Sequence, residues 1–263
     1  MDPPAPRFFG STRHRTAHML AASSGGLLAL IGMAPLPVLA SEVTDLFPAL
    51  SLSGKSFAYN YPKALALSDR FEASALRLTS YDCRVRTYYK IAHLGPRAGG
   101  RDPQGHPDEV FDLRVAFHPT VIHVRLNHPR QGATVDYSAV SQVVEVKPFS
   151  FLPFHLALSP RSSLITSRFG HTIDHADFRS FYERVLRPAC LTRSCLLMGE
   201  GTFEGFPVRV VNLAPDQLEA RPVFGRMYML LDRTTSLPRA VATIGPTGKF
   251  WERIDYGDCR FVF

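Results

Sequence analysis

Apolar and polar residues alternate most regularly across residues 81–147, and that stretch reads as five short strands in a row. Successive side chains leave a pleated strand on opposite faces, so strict alternation marks a strand with one face buried and one in water. Phe111, Leu113, Val115 and Phe117 share one face of such a strand, with Asp112 and Arg114 on the other. His118-Pro119 interrupts the ladder because proline has no N–H to donate, and Ile122, Val124 and Leu126 then resume it opposite His123 and Arg125. Upstream, Cys83, Val85, Thr87, Tyr89 and Ile91 alternate with Arg84, Arg86, Tyr88 and Lys90. Downstream, the turn residues Pro129-Arg130-Gln131-Gly132 precede strands over residues 133–137 and 143–147. Connections this brief force antiparallel pairing, since a parallel return needs a crossover of about a dozen residues or more. The block is a meander.

Around it the periodicity changes. Residues 63–80 place Ala64, Leu65, Leu67, Phe71, Ala75 and Leu78 at helical spacing behind Pro62, which predicts an amphipathic helix packed across the sheet. Residues 41–61 read as a polar, turn-rich lead-in, and residues 94–108 as a long hairpin loop rich in glycine and proline. Over residues 148–160, Phe149, Phe151, Leu152, Phe154, Leu156 and Leu158 crowd among three prolines, which permits neither a clean helix nor a central strand. A second helix is predicted over residues 172–186, with Phe178, Phe181, Tyr182 and Val185 on one face, Asp174 and Asp177 in its first turns, and Pro188 as its stop. Strands are expected again at residues 196–202, 206–213, 226–232, 239–244 and 249–256, the last two joined by a Gly245-Pro246-Thr247-Gly248 turn. Met227 and Met229 share a face of the third of these, where a polarisable side chain suits an adaptable apolar wall.

The first forty residues break with this pattern. Arg7, Arg13 and Arg15 precede a largely apolar run over residues 19–39, and Val38-Leu39-Ala40 presents small residues at the positions a signal peptidase reads. The expectation is a cleaved leader over residues 1–40, followed by one domain over residues 41–263 that is soluble and periplasmic. The formal charge of +7 is spread along strands and loops. Such a balance favours transient contact with an anionic membrane surface, while export argues against nucleic acid as a partner. Four cysteines in an exported chain suggest two disulfides. Cys190 and Cys195 are close enough to clip a loop, which would leave Cys83 and Cys259 to join the first strand to the last; four cysteines nonetheless allow three connectivities.

Catalytic signatures are weak. His171 and His175 stand four apart, but the glutamate of the zinc-protease pattern is absent and no third metal ligand is evident. Gly199-Glu200-Gly201 lacks the later glycine of a dinucleotide loop, and neither a nucleophile elbow nor a phosphate loop occurs. No catalytic residue, cofactor or metal is therefore expected.

The order of parts is informative: leader, helix, meander, apolar irregular segment, helix, second meander. It resembles the periplasmic lipoprotein-carrier superfamily of LolA and, more narrowly, the domain of unknown function 1571 family. The resemblance is carried by Tyr81-Asp82-Cys83-Arg84-Val85-Arg86 with Tyr89-Lys90-Ile91, by Asn127-His128-Pro129-Arg130-Gln131-Gly132, by Leu156-Ala157-Leu158-Ser159-Pro160, by Arg168-Phe169-Gly170-His171-Thr172-Ile173, and by Leu230-Leu231-Asp232 with Leu237-Pro238. It implies an α+β domain, mainly antiparallel β, in which a strongly curved, incompletely closed barrel is covered by helices and its hollow holds acyl chains. The expected ligand-binding wall is Phe111, Leu113, Val115, Ile122, Val124, Leu126, Met227 and Met229. Entry is expected near Phe151 and Phe154 and the helix carrying Phe178 and Phe181. The resulting function is a carrier for a lipid or a lipid-modified protein. Its rivals are an envelope signalling or assembly adaptor working through protein contacts, and a hydrolase that would need a Ser or Asp beside His171 or His175.

Overall fold

A computed structural model of the chain describes residues 36–53, 60–89, 106–151, 154–167, 171–214, 225–245 and 247–263. Its centre is one antiparallel sheet of twelve strands. The meander is β2 (Ser80–Tyr88), β3 (Glu109–Ala116), β4 (Val121–His128), β5 (Thr134–Ser138) and β6 (Val143–Lys147), with β7 (Leu156–Leu158) beyond it. The other half comprises β8 (Cys195–Phe203), β9 (Phe206–Leu213), β10 (Arg226–Asp232), β11 (Pro238–Ile244) and β12 (Phe250–Val262), with β1 (Leu50–Ser53) outside β8. The spatial order is β1-β8-β9-β10-β11-β12-β2-β3-β4-β5-β6-β7, so β12 joins the halves at β2 and the sheet ends on two edges without closing. It is bent nonetheless. Glu204, in the β8–β9 turn, grips Arg86 of β2 through both carboxylate oxygens at 2.6 and 2.7 Å. β2 lies four strands from β9, a separation of about 19 Å in a flat sheet.

Two helical layers cover opposite faces. On the first face lie α2 (Tyr61–Arg77), α3 (Phe178–Phe181) and α4 (Arg187–Leu191). Asn60 caps α2 by accepting from the amide of Lys63 at 2.9 Å, Pro62 occupies its first turn, and Ala64, Leu67, Phe71 and Ala75 form its buried stripe. Its last carbonyls are closed from outside: the Arg179 guanidinium donates to the carbonyls of Ala75, Leu76 and Leu78 at 2.9, 3.0 and 2.6 Å and lies 3.9 Å over the Phe117 ring.

The helix expected over residues 172–186 is broken. A 3-10 turn at Ile173–His175 precedes α3, whose N-cap Asp177 accepts from Arg179 and Ser180 amides, and a π-helical turn at Tyr182–Leu186 leads into α4. Pro188 does not stop it: the chain runs without a break through the π-helical turn, where the Arg187 amide donates to the Tyr182 carbonyl, into α4 with Pro188 in its first turn.

The second face holds α1 (Leu36–Leu46), where a lead-in without regular structure was expected. Val43 and Leu46 of α1 are buried, as are Phe47 just beyond it and Leu50 at the start of β1, and the Phe47 ring meets that of Phe203 edge-on at 6.1 Å between centroids. Polar ties fix it there: Glu42 accepts from Arg226 at 2.7 Å and from the Tyr228 hydroxyl at 2.9 Å, and Arg253 donates to the Leu46 carbonyl at 3.0 Å. Beside Arg253, burial pushes the Asp255 carboxyl up to about 6, against the opposing pull of Arg253 and Arg86. The cut expected after Ala40 falls inside α1, and the buried Val43 and Leu46 lie beyond it.

The strands expected from alternation appear within a few residues of their predicted bounds, with one extension: β12 continues past Tyr256 to Val262 through a bulge after Gly257. The loop expected at residues 94–108 lies mostly outside the described residues. Cys83 is bonded to Cys259 and Cys190 to Cys195, which resolves the three connectivities.

Candidate functional site

Strand register sorts the first face into rows. Tyr81, Val115, Ile122, Tyr137 and Val144 oppose one another across β2 to β6, and all are buried. α3 closes this row, with Phe178 stacked on Tyr81 at 4.6 Å between ring centroids. Two residues along each strand, the next row runs Cys83, Leu113, Val124, Val135, Val146 and Leu156. Here cover fails progressively: Cys83 and Leu113 are buried, Val124, Val135 and Val146 half-buried, and Leu156 exposed. In the third row Val85 is buried while Phe111 and Leu126 are half-buried. The result is an apolar strip on β3 to β6 that the helices leave partly open.

Beyond the strip the same face turns polar. Glu109, two residues before Phe111 and on the same face, accepts from the Tyr89 hydroxyl at 2.8 Å, while Asp108 accepts from the Tyr89 amide at 2.7 Å. Burial and the Glu109 carboxylate together hold the Tyr89 hydroxyl well above the usual phenol range. On β12, Glu252 is buried and meets His171 Nε2 at 2.6 Å. That hydrogen bond raises the imidazole above its ordinary value, against the effect of burial.

The residues expected to form the wall and its entry therefore separate into three environments. Leu113, Val115, Ile122, Phe178, Met227 and Met229 are buried in the core, and Met229 in particular is sealed beneath the helices. Phe111, Val124, Leu126 and Phe181 are half-buried. Phe151 and Phe154 stand exposed. Val135, Val146 and Glu252 were not singled out from the sequence. Glu252 had a readable signal, since it shares parity with the inward-facing Ile254 and Tyr256.

The two histidines do not form a site together. Residues 171 and 172 precede the 3-10 turn, so His171 reaches Glu252, whereas His175 contacts Arg184 and lies 3.5 Å from Asp174. Ser167 accepts through Oγ from the backbone amide of His171 at 2.9 Å. Among the described residues no three His, Cys, Asp or Glu side chains group as a metal site. On the opposite face a cleft of about 210 Å³ is lined by Arg84, Arg86, Arg239, Glu204, Phe203 and Phe206. Its cations are committed: Arg84 to Asp112, Arg86 to Glu204 and Arg239 to Asp232. An anionic ligand would have to displace those carboxylates.

No family model matches the chain, and no curated protein does. Solved structures match it at low identity. It is similar to the lipoprotein LppX of Mycobacterium tuberculosis, at 13% identity and a TM-score of 0.45 over 75% of this chain and 95% of that one. It is similar to MucB in the MucA/MucB complex of Pseudomonas aeruginosa, at 12% identity and 0.44 over 76% of this chain and 58% of that one. A LolA superfamily protein from Nitrosomonas europaea matches at 10% identity and 0.35 over 76% of this chain and 94% of that one. At such distance nothing of these proteins' ligands, partners or superfamily transfers to this chain.

Proposed function

We propose that the chain is an envelope protein that binds a lipid, or the acyl chain of a lipid-modified partner, along the half-buried strip of β3 to β6. The supporting observation is the step in burial between adjacent rows. Val115, Ile122 and Val144 are covered by helices, while Val124, Val135 and Val146, one row along the same strands, are not fully covered. The strip crosses three inter-strand spacings, about 14 Å. On the order of ten methylenes laid along it would gain up to about 8 kcal/mol from leaving water, before the cost of ordering the chain. Glu109, Tyr89, Glu252 and His171 stand on the same face beyond the strip, where a headgroup bearing hydrogen-bond donors would be received. The cleaved leader, the single domain over residues 41–263 and the narrower likeness to the domain of unknown function 1571 family belong to this reading, in which no chemistry is assigned.

Native mass spectrometry of the protein purified from the periplasm tests it. Co-purifying lipid that is lost in Leu126→Ser/Val135→Ser supports the strip as its seat. A stoichiometric protein partner with no lipid would favour the adaptor instead.

A further inference from the structure

The segment between β6 and α3 carries a second apolar surface. Phe149, Phe151, Phe154, Leu156 and Leu164 are 48%, 78%, 48%, 41% and 75% exposed. Single exposed apolar residues are ordinary, but a run of large ones along one short segment marks a contact surface. The Phe149 and Phe151 rings lie 5.5 Å apart, and Leu156 opposes Val146 across the β6–β7 pair. The patch is thus continuous with the end of the half-buried strip. The backbone that presents it is anchored: Ser150 packs so tightly on Gly132 that a Cβ there would come within 2.9 Å of the Ser150 Cβ, and β7 is hydrogen-bonded to β6. Beyond β7 the sheet order ends, so among the described strands nothing pairs with that edge.

Charge selects the occupant. Over residues 146–173 the sequence holds Lys147, Arg161 and Arg168 and no Asp or Glu, although acids make up 23 of the 263 residues. A groove on a protein partner would not require that bias. An anionic bilayer does, because aromatic side chains settle at headgroup level while Lys and Arg remain among the phosphates. We infer that this strip docks the protein reversibly on an anionic lipid surface, with Phe149, Phe151, Phe154 and Leu156 entering the headgroup layer and Lys147 and Arg161 meeting lipid phosphates. The docking is interfacial, since no described helix is long and apolar enough to cross a membrane. Taken together with the proposed lipid strip, it sets the Val146 end of that strip against the bilayer.

Sedimentation with phosphatidylcholine vesicles, with and without phosphatidylglycerol, reads the docking directly. The protein is expected to pellet with the phosphatidylglycerol vesicles and to be released by about 0.5 M salt, where charges are screened within a few ångströms. Phe151→Ser/Phe154→Ser and, separately, Lys147→Gln/Arg161→Gln are each expected to lower vesicle partitioning by about tenfold. Their circular dichroism should match that of the parent, because all four side chains lie outside the core. Binding that ignores phosphatidylglycerol, or that survives both double substitutions, overturns the docking surface, as would a stoichiometric protein found seated on these phenylalanines. Lipid occupancy is measured separately, so Leu126→Ser/Val135→Ser should lose bound lipid yet still pellet, and the failure of one proposal leaves the other readable.

Discussion

Strands β9, β10 and β11 are buried on both faces, whereas β4, β5 and β6 are buried on one face and only along part of their length. The first group lies between α1 and the α2–α4 layer, and its side chains show it: Met227, Tyr228, Met229, Leu230 and Leu231 form an unbroken apolar run. The second group alternates. His123 and Asp136 pair at 2.5 Å on its solvated face, opposite the apolar strip. One continuous sheet thereby separates two tasks. The doubly covered wing holds the fold together, and the singly covered wing leaves apolar surface available for contact.

That division can be broken at graded cost. Phe47→Ala empties a fully buried site between α1 and Phe203, and should lower unfolding free energy by about 3–5 kcal/mol in urea titration. Arg179→Lys keeps the charge but loses the fork that closes the end of α2, so a loss of about 2 kcal/mol is expected by the same measurement. Val135→Ser, on the open wing, should cost about 1 kcal/mol or less while diminishing lipid retention. A Val135 variant as costly as the Phe47 variant would show that the wings do not differ in the way proposed.

The smallest effect is local and depends on pH. His171 binds Glu252 more strongly when protonated, so its contribution is complete below the ordinary imidazole value of 6.5 and is lost as pH rises through its raised value. Amide hydrogen exchange in residues 171–177, corrected for the intrinsic pH dependence, should therefore quicken above neutrality. His171→Gln should remove that excess.

Strand alternation made the open wing readable, because one wet face leaves a period of two in the residues. It could not make the hollow readable. Leu113 and Val124 obey the same parity, and only the placement of α3 and its neighbours decides that the first is sealed and the second is not. Met227 and Met229 share a face as expected, but in a strand buried on both sides parity no longer points to a surface. α1 was missed for a different reason. Its buried residues Val43 and Leu46 stand among Ser41, Thr44 and Asp45, and the composition of the window outweighed their spacing. The polar pair His171–Glu252 joins residues 81 apart, beyond any local pattern.

The bond between Cys83 and Cys259 turns all the chain between them into a covalent ring that begins on β2 and ends on β12. A protease that nicks this ring once liberates no fragment, since both new ends stay tethered at the seam between the wings. A nicked molecule should therefore migrate as one band until it is reduced, and its two wings would have to re-dock only from within tethering distance.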